Sequence, residues 1–129
     1  MNKKLAIIGA GGHGKVVGEI ALLRKYNLID FYDDNAKKIK KFPFKINGNL
    51  EQLRKNQKKY DVFFVAIGDN KIRYDYILWL KKLQKKIISL IHPKSTISKF
   101  SSIGIGTCIM ANAAVNPGAT IKEGVIINT

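Results

Sequence analysis

Ile91-His92-Pro93-Lys94-Ser95-Thr96-Ile97-Ser98-Lys99-Phe100-Ser101-Ser102-Ile103 opens the stretch whose reading decides the fold. From Ile91 onward an aliphatic residue stands at every sixth position: Ile91, Ile97, Ile103, Ile109, Val115, Ile121 and Ile127. Ile, Leu and Val fill 35 of the 129 positions, so seven successive hits from one start arise by chance about once in 10⁴ trials, or roughly once in a hundred over all starts. A second register runs beside the first. Four residues after each hit come Ser95, Ser101, Thr107, Ala113, Ala119 and Val125, nearly all of them small. One inward aliphatic per flat face and one small residue at the tight corner is the sequence form of a β-helix coil. With three faces and about 18 residues per coil, residues 91–129 supply roughly two coils.

Upstream of His92 the pattern is of another kind, with short apolar runs alternating with helical spacing. Leu5-Ala6-Ile7-Ile8 reads as a buried strand, and Lys15 to Lys25 as a helix with Val16, Ile20 and Leu23 on its apolar face. Leu28 to Tyr32 is a second strand, closed by Asp33-Asp34-Asn35. Asn47-Gly48 reads as a turn, followed by a short polar helix from Leu50 to Asn56. Val62 to Ile67 is the strongest strand signal. Asp69 or Asn70 then caps a helix whose apolar face is Ile72, Tyr76, Trp79, Leu80 and Leu83, and Ile87 to Leu90 forms a last strand. Strands alternating with helices predict a small parallel α/β sheet. The expected organisation is therefore a Rossmann-like domain over residues 1–90 and the first coils of a β-helix over residues 91–129.

Composition narrows the function classes. A hydrophobic share of 46% with 25% charged residues is that of a globular chain, not a disordered or collagenous one. The one cysteine, Cys108, excludes a disulfide framework and a Cys-rich zinc site, points to a reducing compartment, and reads as inert packing. The four apolar residues between Lys4 and Gly9 are too few for a signal peptide's core, and no apolar window spans a membrane, so a cytoplasmic protein is expected. The formal charge of +14 rests on 20 Lys and 3 Arg. A base-reading protein leans on the planar fork of Arg, so this lysine surface argues for solvation and against nucleic acid. Its field still favours phosphorylated small molecules.

The chemistry concentrates in the first half. Gly9-Ala10-Gly11-Gly12-His13-Gly14-Lys15 fits G-x-G-x-x-G between a strand and a helix, where free N–H groups and the helix dipole favour phosphate. The same glycines would also serve plain helix–strand packing. Asp33 follows Gly14 by 19 positions, near the spacing of a ribose-binding carboxylate. Asp33-Asp34 suits a sugar or base hydrogen-bond acceptor better than a metal, since adjacent carboxylates on a strand point to opposite sides and lack further ligands. His13 would face a ligand in the loop or bond the backbone, with no orienting carboxylate to make it a general base. Gly68-Asp69-Asn70 closes a strand at the carboxyl edge, either to meet a ligand or to cap a helix. His92 reads as a structural corner between the two halves.

In this order, Ile8-Gly9-Ala10-Gly11-Gly12-His13-Gly14-Lys15-Val16-Val17, Asp33-Asp34, Ala66-Ile67-Gly68-Asp69-Asn70-Lys71-Ile72-Arg73, Leu90-Ile91-His92-Pro93 and the hexapeptide run to Asn128-Thr129 resemble one family. It is that of the nucleotide-sugar and sialic-acid acyltransferases of the left-handed β-helix class. The PglD-type enzymes that N-acetylate UDP-linked 4-amino-sugars are most similar, with perosamine N-acetyltransferases and NeuD-type sialate O-acetyltransferases beside them. The resemblance implies that Gly11, Gly12, His13, Gly14, Lys15, Asp33, Asp34, Gly68 and Asn70 form a UDP-sugar site rather than an NAD site, with Asn128 near the reacting group. It implies acetyl-CoA as co-substrate, bound between coils of neighbouring subunits of a homotrimer, and no metal. Direct acyl transfer in such enzymes uses a His to deprotonate the amine and a backbone N–H to hold the oxyanion. The family's catalytic His follows the Asn-Thr pair by about six residues, so it is expected beyond Thr129, and residues 1–129 alone are expected to be inactive, as a fragment of a longer enzyme or a non-catalytic binding module. A Rossmann-type NAD enzyme is the competing class, and no dehydrogenase requires the hexapeptide period.

Overall fold

Four parallel strands in the order β3-β2-β1-β4 form the first half of the chain. The computed structural model describes residues 2–129. The strands are β1 (Lys4–Ile8), β2 (Leu28–Tyr32), β3 (Ile46–Gly48) and β4 (Val62–Val65). Three helices connect and flank them: α1 (Gly12–Leu23), α2 (Leu50–Asn56) and α3 (Asn70–Lys82). The central strand β1 pairs with β2 on one side (Ala6 opposite Asp30) and β4 on the other (Ala6 opposite Phe63). Alternate residues face opposite sides of a sheet. Leu5, Ile7, Phe31, Val62 and Phe64 therefore meet α1 in one core, while Ala6, Ile8, Tyr32, Phe63 and Val65 meet α2 and α3 in the other. Burial on both faces explains why these strands are continuous apolar runs rather than alternating ones.

Several local expectations shift. Asn47-Gly48 is not a turn: it ends β3, whose Ile46 pairs with Phe31 and whose Gly48 pairs with Tyr32 across a bulge. Gly48 O then accepts the Asp33 N–H at 2.9 Å. The run Ile87 to Leu90 is not a sheet strand. Only Ile87 bridges to Phe63, at the edge of β4, and Leu90 already pairs with Cys108 in the coil region. Both long helices turn their faces relative to the apolar pattern. In α1 the buried residues are Gly14, Val17, Gly18, Ile20 and Ala21, while Val16 and Leu23 stay 41% and 44% exposed. A Cβ at Gly18 would stand 2.4 Å from the Phe44 ring, so the missing side chain is what admits the aromatic group. In α3 the buried residues are Arg73, Ile77 and Leu80, and Ile72 faces outward. Asp69 caps α3 by accepting the Ile72 N–H at 2.9 Å, and Asn49 with Gln52 forms a reciprocal capping box at α2.

The second half is a parallel β-helix with the 18-residue period. Seven two-residue strands follow one another: β5 (Leu90–Ile91), β6 (Thr96–Ile97), β7 (Ser102–Ile103), β8 (Cys108–Ile109), β9 (Ala114–Val115), β10 (Thr120–Ile121) and β11 (Ile126–Ile127). They stack as three faces, β5-β8-β11, β6-β9 and β7-β10. Each pairing is parallel and offset by one coil: Ile91 on Ile109 on Ile127, Ile97 on Val115, Ile103 on Ile121. All seven periodic aliphatics, with Ala113 and Ala119, make one interior column. The corners carry a third register. Gly106, Asn112, Gly118 and Gly124 all have positive φ, between 65° and 86°, each just before a small corner residue. This left-handed conformation is what glycine and, among other residues, asparagine adopt with least strain. Thr107, fully buried, accepts the Val125 N–H and donates to Lys122 O, tying one corner to the coil above it. Gly104 lies so close to that coil that a Cβ there would be 2.6 Å from the Lys122 carbonyl carbon.

Leu90 and Cys108 belong to the same core as Leu5, Phe31 and Phe64, so the coil grows out of the sheet core rather than hanging from a linker. Burial pushes the Cys108 thiol up to about 11, in keeping with a packing role. Among the described residues, no helix is long and apolar enough to cross a membrane.

Candidate functional site

A chain that enters β1, leaves through α1 to β2, and later returns on the other side as β4 creates a crevice where the strand order reverses. Two loops meet there, Gly9 to Gly12 after β1 and Ala66 to Asp69 after β4. Gly9, at φ +109°, donates its N–H to Tyr32 O at 2.8 Å. A Cβ on Gly9 would be 2.5 Å from Ala66 O, and one on Gly14 would be 2.5 Å from Gly9 O. These two glycines serve close packing. Gly11, Gly12 and Gly68 differ, since an added Cβ would meet nothing within 4 Å. They leave open backbone around a cleft of about 300 Å³, lined also by His13, Asp33 and Ile67. Gly11 begins α1 without a side-chain cap, and no acidic residue stands in the helix's first turn. The first-turn N–H groups and the helix dipole are thus available to an anion in the cleft.

Asp33 sits at the wall of this cleft and shapes it. Its Oδ2 accepts the Ala10 N–H and its Oδ1 the Asn35 N–H, both at 2.8 Å. A carboxylate has further lone pairs for a ligand hydroxyl, but its first task here is to hold the glycine loop. Asp34 is exposed, and its Oδ1 accepts the Leu50 N–H at 3.0 Å at the start of α2. Both carboxylates are engaged by backbone amides, and among the described residues no cluster of three or more potential ligands is placed to hold a metal ion. From Gly9, Asp33 and Ile67 the cleft continues past Tyr32 and Tyr76 as a second hollow of about 240 Å³. Through Asp34, Leu50 and Tyr76 it reaches a third, of about 390 Å³, walled by Trp79 and Arg54. The result is a groove along the carboxyl edge of the sheet. Burial, then Asp34 and Asp33, raises the Tyr76 hydroxyl above its ordinary pKa, so it stays protonated as a donor.

His13 is the titratable group in the glycine loop. Its Nε2 is buried with no hydrogen-bond partner. Burial first, and the Arg73 cation second, hold its pKa below the usual 6.5, so the ring is neutral at pH 7. Lys15, one residue beyond Gly14, is exposed on α1. Asn70 opens α3, and its Oδ1 accepts from Arg73 Nη2 at 2.7 Å. Gly68, Asp69 and Asn70 thus form a cleft loop and a helix cap at once. His92 lies apart, its Nδ1 accepting the Lys94 N–H and its carbonyl the Ser95 hydroxyl, as a corner of the first coil. Asn128 follows β11, with its Oδ1 taken by the Thr129 N–H, and lies outside the lining of the cleft.

The structure therefore brings Gly11, Gly12, His13, Asp33 and Gly68 to one cleft, with Lys15, Asp34 and Asn70 around it and Asn128 elsewhere. The pattern reading missed Arg73, Leu50 and Tyr76. Arginine scarcity was the available signal for Arg73, one of only 3 arginines beside 20 lysines.

Residues 4–80 match the model of the PglD N-terminal domain. A UDP-N-acetylbacillosamine N-acetyltransferase from Bacillus subtilis (strain 168) is 34% identical over 112 residues, covering 84% of this chain and 52% of that protein. Among solved structures, the acetyltransferase domain of PglB from Neisseria gonorrhoeae FA1090, in complex with acetyl coenzyme A, superposes with a TM-score of 0.90 at 41% identity. That match covers 100% of this chain and 63% of the other. A mutant of perosamine N-acetyltransferase from Caulobacter crescentus, in complex with CoA and GDP-perosamine, gives a TM-score of 0.85 at 29% identity, covering 100% and 61%. The chain spans about half the length of the curated relative it matches. The match over residues 4–80, more than half of the chain, shows that the chain belongs to the PglD N-terminal domain family.

Proposed function

We propose that this chain is the nucleotide-sugar-binding part, with the first β-helix coils, of an acetyl-CoA-dependent N-acetyltransferase acting on the amino group of a UDP-linked 4-amino-sugar in bacterial glycan synthesis. The observation that carries this reading is the open backbone of Gly11, Gly12 and Gly68, facing one cleft at the uncapped start of α1. A diphosphate lies against those amides, and the groove past Tyr76 takes the rest of the nucleotide. Residues 1–90 form the nucleotide-sugar domain and residues 91–129 begin the acyltransferase domain. Acetyl-CoA binds between coils of neighbouring subunits of a cytoplasmic homotrimer, and Asn128 lies close to the acceptor amine there.

The role of this chain's own residues is binding and orientation. The amides of the glycine loop hold the nucleotide, Asp33 keeps that loop in place, and the neutral ring of His13 faces the ligand as a hydrogen-bonding group. The transferred acetyl group moves from the thioester to the amine, and the proton lost by the nitrogen goes to a general base. His92 is engaged at a coil corner, its Nδ1 accepting the Lys94 N–H.

Calorimetric titration with UDP and with NAD tests the reading. Saturable UDP binding is expected, with NMR amide shifts at Gly11–Lys15, Asp33 and Gly68 and along the groove toward Tyr76. Binding of NAD without UDP overturns it in favour of a Rossmann-type cofactor site.

A further inference from the structure

Arg73, 7% exposed, is the one buried charged side chain among the described residues. Its guanidinium donates four hydrogen bonds, and every acceptor is a neutral oxygen. Nη1 reaches Ile67 O and Gly68 O at 2.9 Å, Nη2 reaches Asn70 Oδ1 at 2.7 Å, and Nε reaches Gly124 O at 2.8 Å. Burying a cation against carbonyls costs stability relative to an apolar residue of the same volume. Such a group is kept for geometry, and the planar fork of arginine fixes several acceptors at once.

Those acceptors belong to two different parts of the molecule. Ile67 and Gly68 line the cleft, with Asn70 two residues on at the start of α3, and Gly124 is a corner of the second coil, two residues before β11. Arg73 is also the first member of a stripe along α3. Four residues on, Ile77 packs so closely that a Cβ at Gly124 would be 2.7 Å from its Cδ1. Four further, Lys81 pairs with Glu123. Positions i, i+4 and i+8 share one helix face, so α3 grips the coil corner at three levels. Only the first level touches the cleft.

We propose that Arg73 is a positioning residue: its guanidinium locks the Ile67–Asn70 loop beside the cleft to the Gly124 corner of the coil, so that a nucleotide-sugar held by the sheet is presented at a set height to the β-helix. This rests on the nucleotide reading of the cleft. Arg73 touches no reacting atom. It acts through the Gly68 loop on one side and through the coil on the other, and its loss loosens both together.

Three variants test it, each measured by calorimetry with UDP, thermal melting, and amide NMR of Gly68, Asp69, Asn70 and Gly124. Arg73→Lys keeps the charge but has no fork. Arg73→Gln buries no charge, and serves where the lysine variant does not fold. Lys81→Met breaks the grip at the far end of the same stripe, away from the cleft. Expected results are a weakening of UDP binding by about tenfold, equivalent to about 1.4 kcal/mol, in both Arg73 variants, and unchanged UDP affinity in Lys81→Met even if its melting point falls. Joint movement of the Gly68–Asn70 and Gly124 amides in the Arg73 variants, but not in Lys81→Met, is the accompanying signature. A folded Arg73→Lys or Arg73→Gln protein with wild-type UDP affinity overturns the proposal. Should the wild-type chain itself not bind UDP, the nucleotide reading fails, and the amide resonances decide Arg73 alone. Joint movement of loop and corner upholds the lock, and movement of one without the other overturns it.

Discussion

Sheet and coil bury their side chains by different geometries. In the sheet half, a residue's neighbours depend on which of two cores it faces and on which helix arrives there. Adjacent residues such as Phe63 and Phe64 belong to different cores. In the coil half, each interior side chain stands on the one 18 residues earlier, so Ile91, Ile109 and Ile127 occupy equivalent places. A repeated environment leaves a repeated sequence, whereas a doubly covered sheet leaves only runs of apolar residues. The two halves nevertheless share one core at Leu90 and Cys108.

The largest effects test that sharing. Phe64→Ala removes a fully buried ring and is expected to cost about 3–5 kcal/mol, and Ile109→Ala about 2–5 kcal/mol. Because Leu90 and Cys108 join the halves, both variants are expected to unfold in a single transition, with ellipticity and aromatic fluorescence coincident in urea. Two separated transitions in Ile109→Ala would break the shared-core account. Next in size is Thr107→Val. It leaves the Val125 N–H without its acceptor inside the coil, an expected loss of about 1–3 kcal/mol by the same urea titration. Smaller again is Asn112, which holds a left-handed conformation that its register neighbours assign to glycine. Asn112→Ala is expected to lose about 1 kcal/mol and Asn112→Gly little or none, and the reverse order would show that the corner register is not conformational.

The smallest effect belongs to the cleft and is read by pH. His13 has a folded pKa below its unfolded value of 6.5, so the unfolded chain takes up the proton first as pH falls. Its neutral ring thus contributes stability that is complete above about 6.5 and declines as pH drops toward the folded value. Melting points followed from pH 7 to 5 are expected to fall less steeply in His13→Gln than in wild type. In Arg73→Gln the ring is expected to titrate higher, since the second of its two suppressing causes is removed, and an unmoved His13 would separate the two groups electrically.

What the sequence made legible follows the same division. The hexad from Ile91 to Ile127 marked the seven aliphatics of the interior column, because one local rule governs all of them. Along the first half most strands and helices were legible, but the buried face of α1 and strand β3 were not. The buried side of α1 is built largely on Gly14, Gly18 and Ala21, which carry no apolar signal, and Phe44 supplies the missing bulk from a distant loop. Strand β3 is three residues long and contains Asn47-Gly48, so turn chemistry outweighed a strand set by its partner β2. Of the candidate site, the glycine loop and Asp33 were visible because spacing along the chain places them. Arg73 was not, because a cation wrapped in carbonyls from residues 67, 68 and 124 is defined only once the coil has docked.

The near-contact at Gly104 has a consequence for the whole column above it. Backbone meets backbone there, so the rise of the first full winding is set by an absence of atoms. A stacked spiral transmits its errors: a methyl group inserted at Gly104 would tilt the next winding and every one laid upon it. The same methyl group at Gly118, where an added Cβ meets nothing within 4 Å, would strain one corner and go no further. Two glycines 14 positions apart thus differ as a foundation stone differs from a coping stone.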